Sequence, residues 1–279
     1  MPNSGQKEIL FMWKILSVIT LALLSVVSLS ARAENAFSLN GNVSVSNSYF
    51  FRGISQAEDQ FVLTPSVQAG YKVADGVQVL GGLNTVFLSD TDNLNGPDSS
   101  TSSWYEATLA VGARFTVAKQ FVLGVDYNFY SSPSDSFKNV QEAVFSVSYQ
   151  DNLKLFPEFT GLNPYVLLAV DLDNSRGLSD EGQYLEVGVN PTAKFVNVPL
   201  VKTLVVSLPT RAGFGFNDYF GNGTELGYIG VGPQFKIPLN DHVSITAGVD
   251  VLFLNNDLGK VNEGGDVEVV GSIGLNLSL

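Results

Sequence analysis

The chain has 279 residues, with 27 acidic against 15 basic side chains, a formal net charge of −12 and no cysteine. The acidic excess argues against nucleic acid as a partner, because phosphates are bound through lysine and arginine. Without cysteine the chain has neither disulfides nor a thiolate metal site, so its stability has to come from backbone hydrogen bonds and packing.

The first 33 residues predict an export signal that is removed from the mature protein. Lys7 and Lys14 form a positive n-region, an apolar run spans Ile15–Leu29, and Ala31–Ala33 is a small-x-small cleavage site. The alternative is a transmembrane anchor, but a spanning helix needs ~20 apolar residues, and this run is shorter and is diluted by serine and threonine. We therefore expect cleavage after Ala33, which leaves residues 34–279 as one barrel domain.

An alternation with a period of two runs through the rest of the chain and predicts strands with one apolar and one polar face. In residues 104–117, for example, Tyr105 and Leu109 have the apolar parity, and Glu106 and Arg114 have the polar parity. We predict twelve such strands, at 37–51, 61–72, 77–88, 104–117, 120–130, 140–150, 164–171, 183–195, 202–214, 225–237, 243–254 and 266–279. Pro191, Pro209 and Pro233 fall inside three of them and predict a bulge or a break, because proline has no ladder donor.

The connections between these segments alternate in length. Those after odd-numbered segments are long and polar, such as Ser89–Ser103, whereas most of those after even-numbered segments are short, such as Ala74–Gly76. Bacterial outer-membrane barrels have long extracellular loops, short periplasmic turns and an even number of strands. The pattern therefore predicts an all-β fold, a transmembrane antiparallel β-barrel of twelve strands. One exception is Asp151–Asn163, a long connection on the short side, which is either a small periplasmic excursion or a miscounted strand.

A secreted β-sandwich is the alternative fold, because its strands also alternate. Sandwich strands are usually about five or six residues long, whereas a tilted membrane strand needs about nine to eleven, and most segments here run to eleven residues or more. The polar face is also rich in Gly, Ser, Thr and Asn, which suits a crowded and wet lumen. These features favour the barrel.

Charged residues within the strands are predicted to face the lumen, because a lysine or arginine facing lipid at the membrane midplane costs about 2–4 kcal/mol. The candidate pore-lining residues are Arg52, Lys72, Glu106, Arg114, Asp126, Glu186, Arg211 and Asp250, and Glu142, Lys236 and Glu268 share the inward parity. Arg52 is expected near the outer mouth, at the end of the first strand, and Arg114 near the periplasmic end. The charges either line an open, selective pore or form salt bridges that brace and block the barrel.

The segment from Ser46 to Gln56 reads Ser-Asn-Ser-Tyr-Phe-Phe-Arg-Gly-Ile-Ser-Gln, an aromatic-rich strand end followed by Arg-Gly-Ile-Ser-Gln. It resembles the opening signature of the TorF family of porins, and its place after an export signal also matches. The matching positions are Tyr49, Arg52, Gly53, Ile54, Ser55 and Gln56. Phe50 departs from the pattern, because the family often has a polar or basic residue there. The resemblance implies an outer-membrane barrel that acts as a porin.

Catalytic and metal-binding chemistry has little support in the sequence. The single histidine, His242, lies in a short turn on the predicted periplasmic side, whereas a twelve-stranded outer-membrane phospholipase needs a serine and a histidine near the outer leaflet. Asp171 and Asp173 have oxygen-ligand spacing but lack the downstream Gly and Glu of a calcium loop. We expect no enzymatic activity, no metal and no cofactor.

The sequence thus predicts a porin-like channel in the outer membrane that passes small hydrophilic solutes or ions passively or with mild selectivity. A closed barrel with a structural or surface-binding role is the alternative. The expected partners are outer-membrane lipid, the solutes, and the outer-membrane insertion machinery, which reads the C-terminal strand. That strand keeps apolar spacing at Ile273, Leu275 and Leu277, but Leu279 replaces the usual terminal aromatic residue.

Overall fold

The structure, a computed structural model, describes residues 36–89, 103–174, 177–178, 182–221, 223, 225–262 and 265–279. The predicted export signal lies outside the described residues, as do residues 90–102 of the predicted Ser89–Ser103 loop. In the described part of the chain, no helix is both long enough and apolar enough to cross a membrane.

The described residues form strands of very different lengths. The longer ones are β1 (Phe37–Ser46), β4 (Val62–Ala74), β5 (Val77–Leu88), β6 (Trp104–Val117), β7 (Phe121–Ser131), β8 (Val140–Tyr149), β10 (Tyr165–Asp173), β17 (Val243–Leu254) and β18 (Val267–Ser278). The shorter ones are β2 (Tyr49–Phe51), β3 (Ile54–Ala57), β9 (Phe159–Gly161), β11 (Gln183–Val189), β12 (Thr192–Val196), β13 (Thr203–Ser207), β14 (Thr210–Phe216), β15 (Leu226–Val231) and β16 (Gln234–Pro238). A short helix, α1 (Asn256–Val261), lies between β17 and β18.

These strands close into an antiparallel barrel with twelve wall positions, as predicted. Nine positions are filled by the longer strands, and three are each filled by two short strands in line: β11 with β12, β13 with β14, and β15 with β16. Antiparallel pairing of β1 with β18 closes the circle, from Asn40 opposite Ser278 to Ser46 opposite Ser272. We call the end where β4 turns into β5 the turn end, and the end where β5 leads to β6 the loop end.

The three composite positions are interrupted at the three prolines, as predicted. The proline carbonyls still accept ladder bonds from the next strand: Leu208 N donates to Pro191 O at 3.0 Å, and Gly232 N donates to Pro209 O at 3.1 Å. Pro233 O accepts from Val249 N at 3.1 Å. The missing proline donors interrupt the ladder at these three points, and the bonds to the proline carbonyls keep the wall closed there.

The connection from Asp151 to Asn163 is a small excursion at the turn end that joins the edge of the barrel sheet without adding a thirteenth wall position. Its only strand, β9, pairs with β12, with Gly161 opposite Thr192. The Asp151 carboxylate fixes the loop by accepting hydrogen bonds from the backbone N–H of Leu162 at 2.8 Å and of Asn163 at 2.6 Å.

The outer face of the wall is a continuous apolar surface. Residues of outward parity such as Leu109, Val111, Val125 and Ile273 are each between 44% and 56% exposed. Exposed apolar side chains on all sides of a closed barrel are the signature of a wall covered by lipid hydrocarbon. The fold is therefore that of a transmembrane barrel.

The first strand is shorter than predicted, because it ends at Ser46 and not at Phe51. Asn47 then substitutes for a strand residue: its side-chain oxygen accepts from Gly271 N at 2.7 Å, and its amide donates to Val269 O at 3.3 Å. The backbone oxygen of Asn47 accepts from Gln60 N at 2.9 Å, which closes the base of an excursion. The segment between these two residues carries β2 and β3, which pair only with each other.

Candidate functional site

The excursion is a tight hairpin whose tip is Arg52. Phe51 pairs with Ile54, and the two residues between them, Arg52 and Gly53, have φ of 53° and 82°. Two consecutive residues with positive φ are the signature of a type I′ turn, where glycine is common and arginine is rare. Because this backbone conformation is unfavourable for arginine, contacts of the Arg52 side chain have to hold it.

The Arg52 guanidinium crosses the lumen to the far wall. Nη1 donates to Glu142 Oε1 at 2.6 Å and Nη2 donates to Glu142 Oε2 at 2.9 Å, a bidentate pair with β8. Nη1 also donates to the Tyr219 hydroxyl at 3.1 Å, and the guanidinium carbon lies 4.5 Å from the ring centre of Tyr184 on β11. β8 and β11 are on the side of the barrel opposite β1, so the hairpin spans the lumen.

This ion pair is buried, and Glu142 has further donors. The side chain of Arg52 is 12% exposed and that of Glu142 is 1% exposed. The Tyr130 hydroxyl donates to Glu142 Oε2 at 3.1 Å. A buried charge is tolerated only when it is paired and hydrogen-bonded, and the arrangement around Glu142 meets both conditions. The pair is therefore a latch that holds the hairpin across the barrel.

Apolar residues fill the loop half of the lumen around this latch. One buried cluster joins Ile54 of the hairpin to Tyr219, Phe220, Tyr228 and Leu258. A second cluster joins Ala57 to inward residues of three wall strands, namely Val62, Val86, Leu88 and Tyr105. Phe220, Leu258, Val62 and Val86 are fully buried. In the described part of the chain, the loop half of the barrel is a packed core.

The helix α1 closes over the hairpin from the loop end. Asn255 caps the helix by accepting from Asp257 N at 2.9 Å. Asn262, just after the helix, binds the hairpin backbone twice: its amide donates to Gly53 O at 2.7 Å and its oxygen accepts from Ser55 N at 3.0 Å. One side-chain amide thus satisfies a donor and an acceptor of the hairpin that would otherwise be buried without a partner.

Tyr105 faces inward, and its predicted outward orientation is wrong. The register between β5 and β6 shifts at this point, with Val86 opposite Glu106 and Phe87 opposite Trp104. A bulge inserts one extra residue and changes the side on which it points. With Tyr105 facing inward, its hydroxyl donates to Gln56 Oε1 of the hairpin at 2.7 Å. The neighbouring Glu106 also contacts the hairpin, because its Oε2 accepts from the Tyr49 hydroxyl at 3.0 Å.

The hairpin and the apolar clusters packed around it form a plug in the loop half of the lumen. A second polar cluster lies on the wall beside this plug and surrounds Glu186. Its carboxylate accepts from the hydroxyls of Tyr165 at 2.7 Å and Tyr228 at 2.9 Å. Arg211 stands 3.9 Å from the same carboxylate and forms a bidentate pair with Asp250, in which Nη1 donates to Oδ1 at 3.1 Å. The structure thus brings together three of the predicted pore-lining charges, Glu186, Arg211 and Asp250, in one mutually satisfied network.

Two other predicted cations, Arg114 and Lys72, lie toward the turn end. Arg114 Nη1 donates to Asp126 Oδ1 at 2.7 Å across neighbouring strands. Lys72 pairs with Asp75 at 2.8 Å at the exposed rim of a turn. Arg52, expected near the outer mouth, lies in the loop half, and its guanidinium is buried against Glu142 and is not presented to solutes in this structure.

The turn half of the lumen is open and polar, in contrast to the loop half. It contains a cavity of about 510 Å³ whose walls are mainly serine, threonine and amide side chains, with Lys236 and His242 as the basic groups and no carboxylate. Gly82, which has no side chain, and Ala110, with a single methyl group, line the same wall. The lumen therefore changes from a packed core to a hydrophilic vestibule along the barrel axis.

Several residues of the plug were not predicted from the sequence. Tyr219, Phe220 and Asn262 come from loops and Leu258 comes from α1, and in neither does period-two alternation give a signal. His242 lies at the turn end, and its Nδ1 is 3.0 Å from Ser278 O. In the part of the chain that the structure describes, no three histidine, aspartate or glutamate side chains are close enough together to hold a metal ion.

Fold and lumen together define a twelve-stranded transmembrane barrel with a plug in its loop half. No protein-family model matches the sequence, and no curated protein matches it either, so the TorF resemblance stays a prediction. Among solved structures, the chain is similar to the NanC porin, with 12% identity, a TM-score of 0.48, and coverage of 88% of this chain and 100% of that one.

Two further similar structures are an outer membrane channel and a second porin. An outer membrane channel from Pseudomonas putida F1 has 12% identity and a TM-score of 0.48, with 88% of this chain and 97% of that chain covered. The KdgM porin, solved in complex with disordered oligogalacturonate, has 8% identity and a TM-score of 0.44, with 87% and 99% covered. The function proposed below rests on the residues of this barrel.

Proposed function

We propose that the barrel is an outer-membrane channel for small hydrophilic solutes or ions, and that the hairpin around Arg52 is its gate. The observation that supports this most strongly is the division of the lumen. A barrel that only spans the membrane gains stability from a filled interior, as small barrels show. This one keeps a polar cavity of about 510 Å³ in its turn half and is blocked in the other half by one inserted segment with its partners.

The hairpin has the properties of a movable element. Its two strands pair only with each other, so its displacement breaks no ladder bond of the wall. It is held by the Arg52–Glu142 pair, by the two hydrogen bonds from Asn262 and by apolar packing. Two hydroxyl hydrogen bonds, from Tyr49 to Glu106 and from Tyr105 to Gln56, also join it to the wall. Its base is closed by the bond from Gln60 N to Asn47 O, so the wall on either side is complete without it.

A closed structural barrel is the second candidate, and the complete burial of Phe220, Leu258 and Val62 favours it. The two functions differ in what removal of the hairpin should do. In a gated channel the removal opens a continuous aqueous path, whereas in a structural barrel it creates a cavity that other loop-half side chains fill.

The test is single-channel conductance in planar bilayers of the full chain and of a variant in which residues 48–59 are replaced by Asn-Gly. A two-residue turn is suitable because residues 47 and 60 already lie within hydrogen-bond distance, and Asn-Gly favours hairpin turns. We expect the variant to conduct in larger steps than the parent, with heat-modifiable gel migration showing that both are folded barrels.

Two other results would decide against parts of the proposal. Folded but silent barrels in both proteins would refute the channel and leave the structural role. Equal conductance in both proteins would keep the channel and remove the hairpin as its gate.

A further inference from the structure

We propose that the turn-half vestibule is a binding site for small anions rich in hydroxyl groups, in which Lys236 binds the negative charge. This inference rests on the proposed channel function, because it names the class of solute that the channel takes. The observations that carry it are the charge state of the vestibule and its unpartnered polar groups.

Lys236 differs from the other lumen cations that the structure describes. Arg52, Arg114 and Arg211 are each paired with a carboxylate within the lumen. Lys236 has neither an ion-pair nor a hydrogen-bond partner among the described residues, although it lines the cavity. Because no carboxylate lines the same cavity, the field in the vestibule favours an anion.

Lys236 is directed into the lumen by its strand register. It pairs with Thr246 of β17, and the Thr246 hydroxyl accepts from the amide of Asn276 at 3.2 Å. The side-chain oxygen of Asn276 in turn accepts from the amide of Asn42 at 2.8 Å. The lysine therefore stands at one end of a fixed row of polar groups that crosses the closing seam of the barrel.

Two further amides continue this polar row on the other side of the cavity. Gln68 of β4 and Asn84 of β5 line the vestibule, and neither side chain has a hydrogen-bond partner in the described part of the protein. A side-chain amide offers both donors and acceptors, which is what hydroxyl groups need. An anion with several hydroxyls would use both features, with its charge on Lys236 and its hydroxyls on the amides.

The test measures binding and does not depend on conductance. Saturation-transfer NMR on the detergent-folded full chain, with gluconate and its uncharged counterpart sorbitol as probes, gives an affinity for each. We expect gluconate to bind the parent more tightly than sorbitol does. In Lys236→Gln, gluconate affinity should fall about tenfold and sorbitol affinity should stay the same, because a charge-assisted contact is lost.

Three controls make the result interpretable. Lys202→Gln changes an exposed lysine between β12 and β13, outside the cavity lining, and should alter nothing. Lys236→Arg keeps the charge and should retain gluconate binding. Gln68→Leu together with Asn84→Leu should weaken both probes.

Equal affinities of gluconate and sorbitol in the parent, or an unchanged gluconate affinity in Lys236→Gln, would overturn the proposed site. A silent bilayer with intact, Lys236-dependent gluconate binding would instead refute the channel and leave the anion site. The two failures are thus distinguishable.

Discussion

The latch between Arg52 and Glu142 allows a direct test of how firmly the hairpin is held. We expect Glu142→Gln to release the hairpin from the lumen while the wall stays folded. The change removes the negative charge from a side chain that is 1% exposed and leaves the Arg52 guanidinium, only 12% exposed, without its counter-charge. Breaking a buried pair by removing one partner typically costs about 3–5 kcal/mol.

The lower end of this range applies here, because Arg52 retains two favourable contacts. The Tyr219 hydroxyl lies 3.1 Å from its Nη1, and the Tyr184 ring lies 4.5 Å from its guanidinium carbon. A loss of about 3 kcal/mol corresponds to a roughly hundredfold increase in the population with a displaced hairpin, since 1.4 kcal/mol is about a factor of ten.

Trypsin reports this population, because Arg52 is itself the cleavage site. Cleavage of the Arg52–Gly53 bond requires the turn to leave the plug, and its rate follows the displaced fraction when opening and closing are fast. The new N-terminal fragment, identified by mass spectrometry, should accumulate roughly a hundred times faster in Glu142→Gln than in the parent.

Asp126→Asn is the matched control, because it breaks an arginine–carboxylate pair of the lumen that does not touch the hairpin. It should leave cleavage at Arg52 unchanged. If Glu142→Gln also left the rate unchanged, the ion pair would not be the latch, and apolar packing with the other hydrogen bonds would hold the hairpin.

Three further changes test other parts of the fold. Gly53→Ala should raise the rate of the same tryptic cleavage about tenfold, because Gly53 has φ of 82° and an added Cβ would lie 2.6 Å from the Tyr228 ring. Gly81→Ala is the control and should leave the rate unchanged, because nothing lies within 4 Å of an added Cβ there. Asn47→Ala should lower the free energy of unfolding by about 1–2 kcal/mol, because two hydrogen bonds to β18 are lost. Urea titration in detergent measures this, and an unchanged unfolding midpoint would contradict the role given to the Asn47 side chain. Desolvation raises the pKa of Asp151, but hydrogen bonds from backbone N–H groups outweigh it and hold the pKa below its usual value. The ionised carboxylate therefore stabilises the folded state above about pH 4, and this stabilisation is lost as the pH falls through the lowered pKa. The stability difference between the parent and Asp151→Asn should therefore be constant near neutral pH and shrink below about pH 4, and a difference that grew in acid would contradict it.

The wall of the barrel could be predicted from the sequence because lipid and lumen impose opposite demands on neighbouring residues. Leu109 and Val111 face lipid and Arg114 faces inward, as their parity required. The pairing of Arg114 with Asp126 follows from the short turn between β6 and β7, which fixes the register of the two strands. The breaks at Pro191 and Pro209 were predictable for the same local reason, the missing ladder donor.

The hairpin could not be predicted as a plug, because its residues satisfy the same local pattern as a strand. Tyr49 and Phe51 continue the alternation of β1, but the core inside the lumen offers them an apolar environment as good as the membrane. The partner of Arg52 is 90 positions away along the chain, and only the closed barrel brings Glu142 within reach. Tyr105 was assigned to the wrong face because the residues around it keep their apolar–polar alternation, so the sequence gives no sign of the bulge.

The pairing of β1 with β18 has a consequence for how the protein is assembled. It joins Asn40 to Ser278, 238 positions apart, and ends in mutual hydrogen bonds between Leu39 and Leu279 of 2.9 Å and 2.8 Å. Contacts of such sequence separation form slowly, because the ends of a long chain must meet before any bond compensates for the lost entropy. Neighbouring hairpins can form at once, so we expect a long-lived intermediate that is an open sheet with β1 and β18 as bare edges. Such edges attract other strands, and they are the surface that a folding catalyst would have to cover until the seam closes.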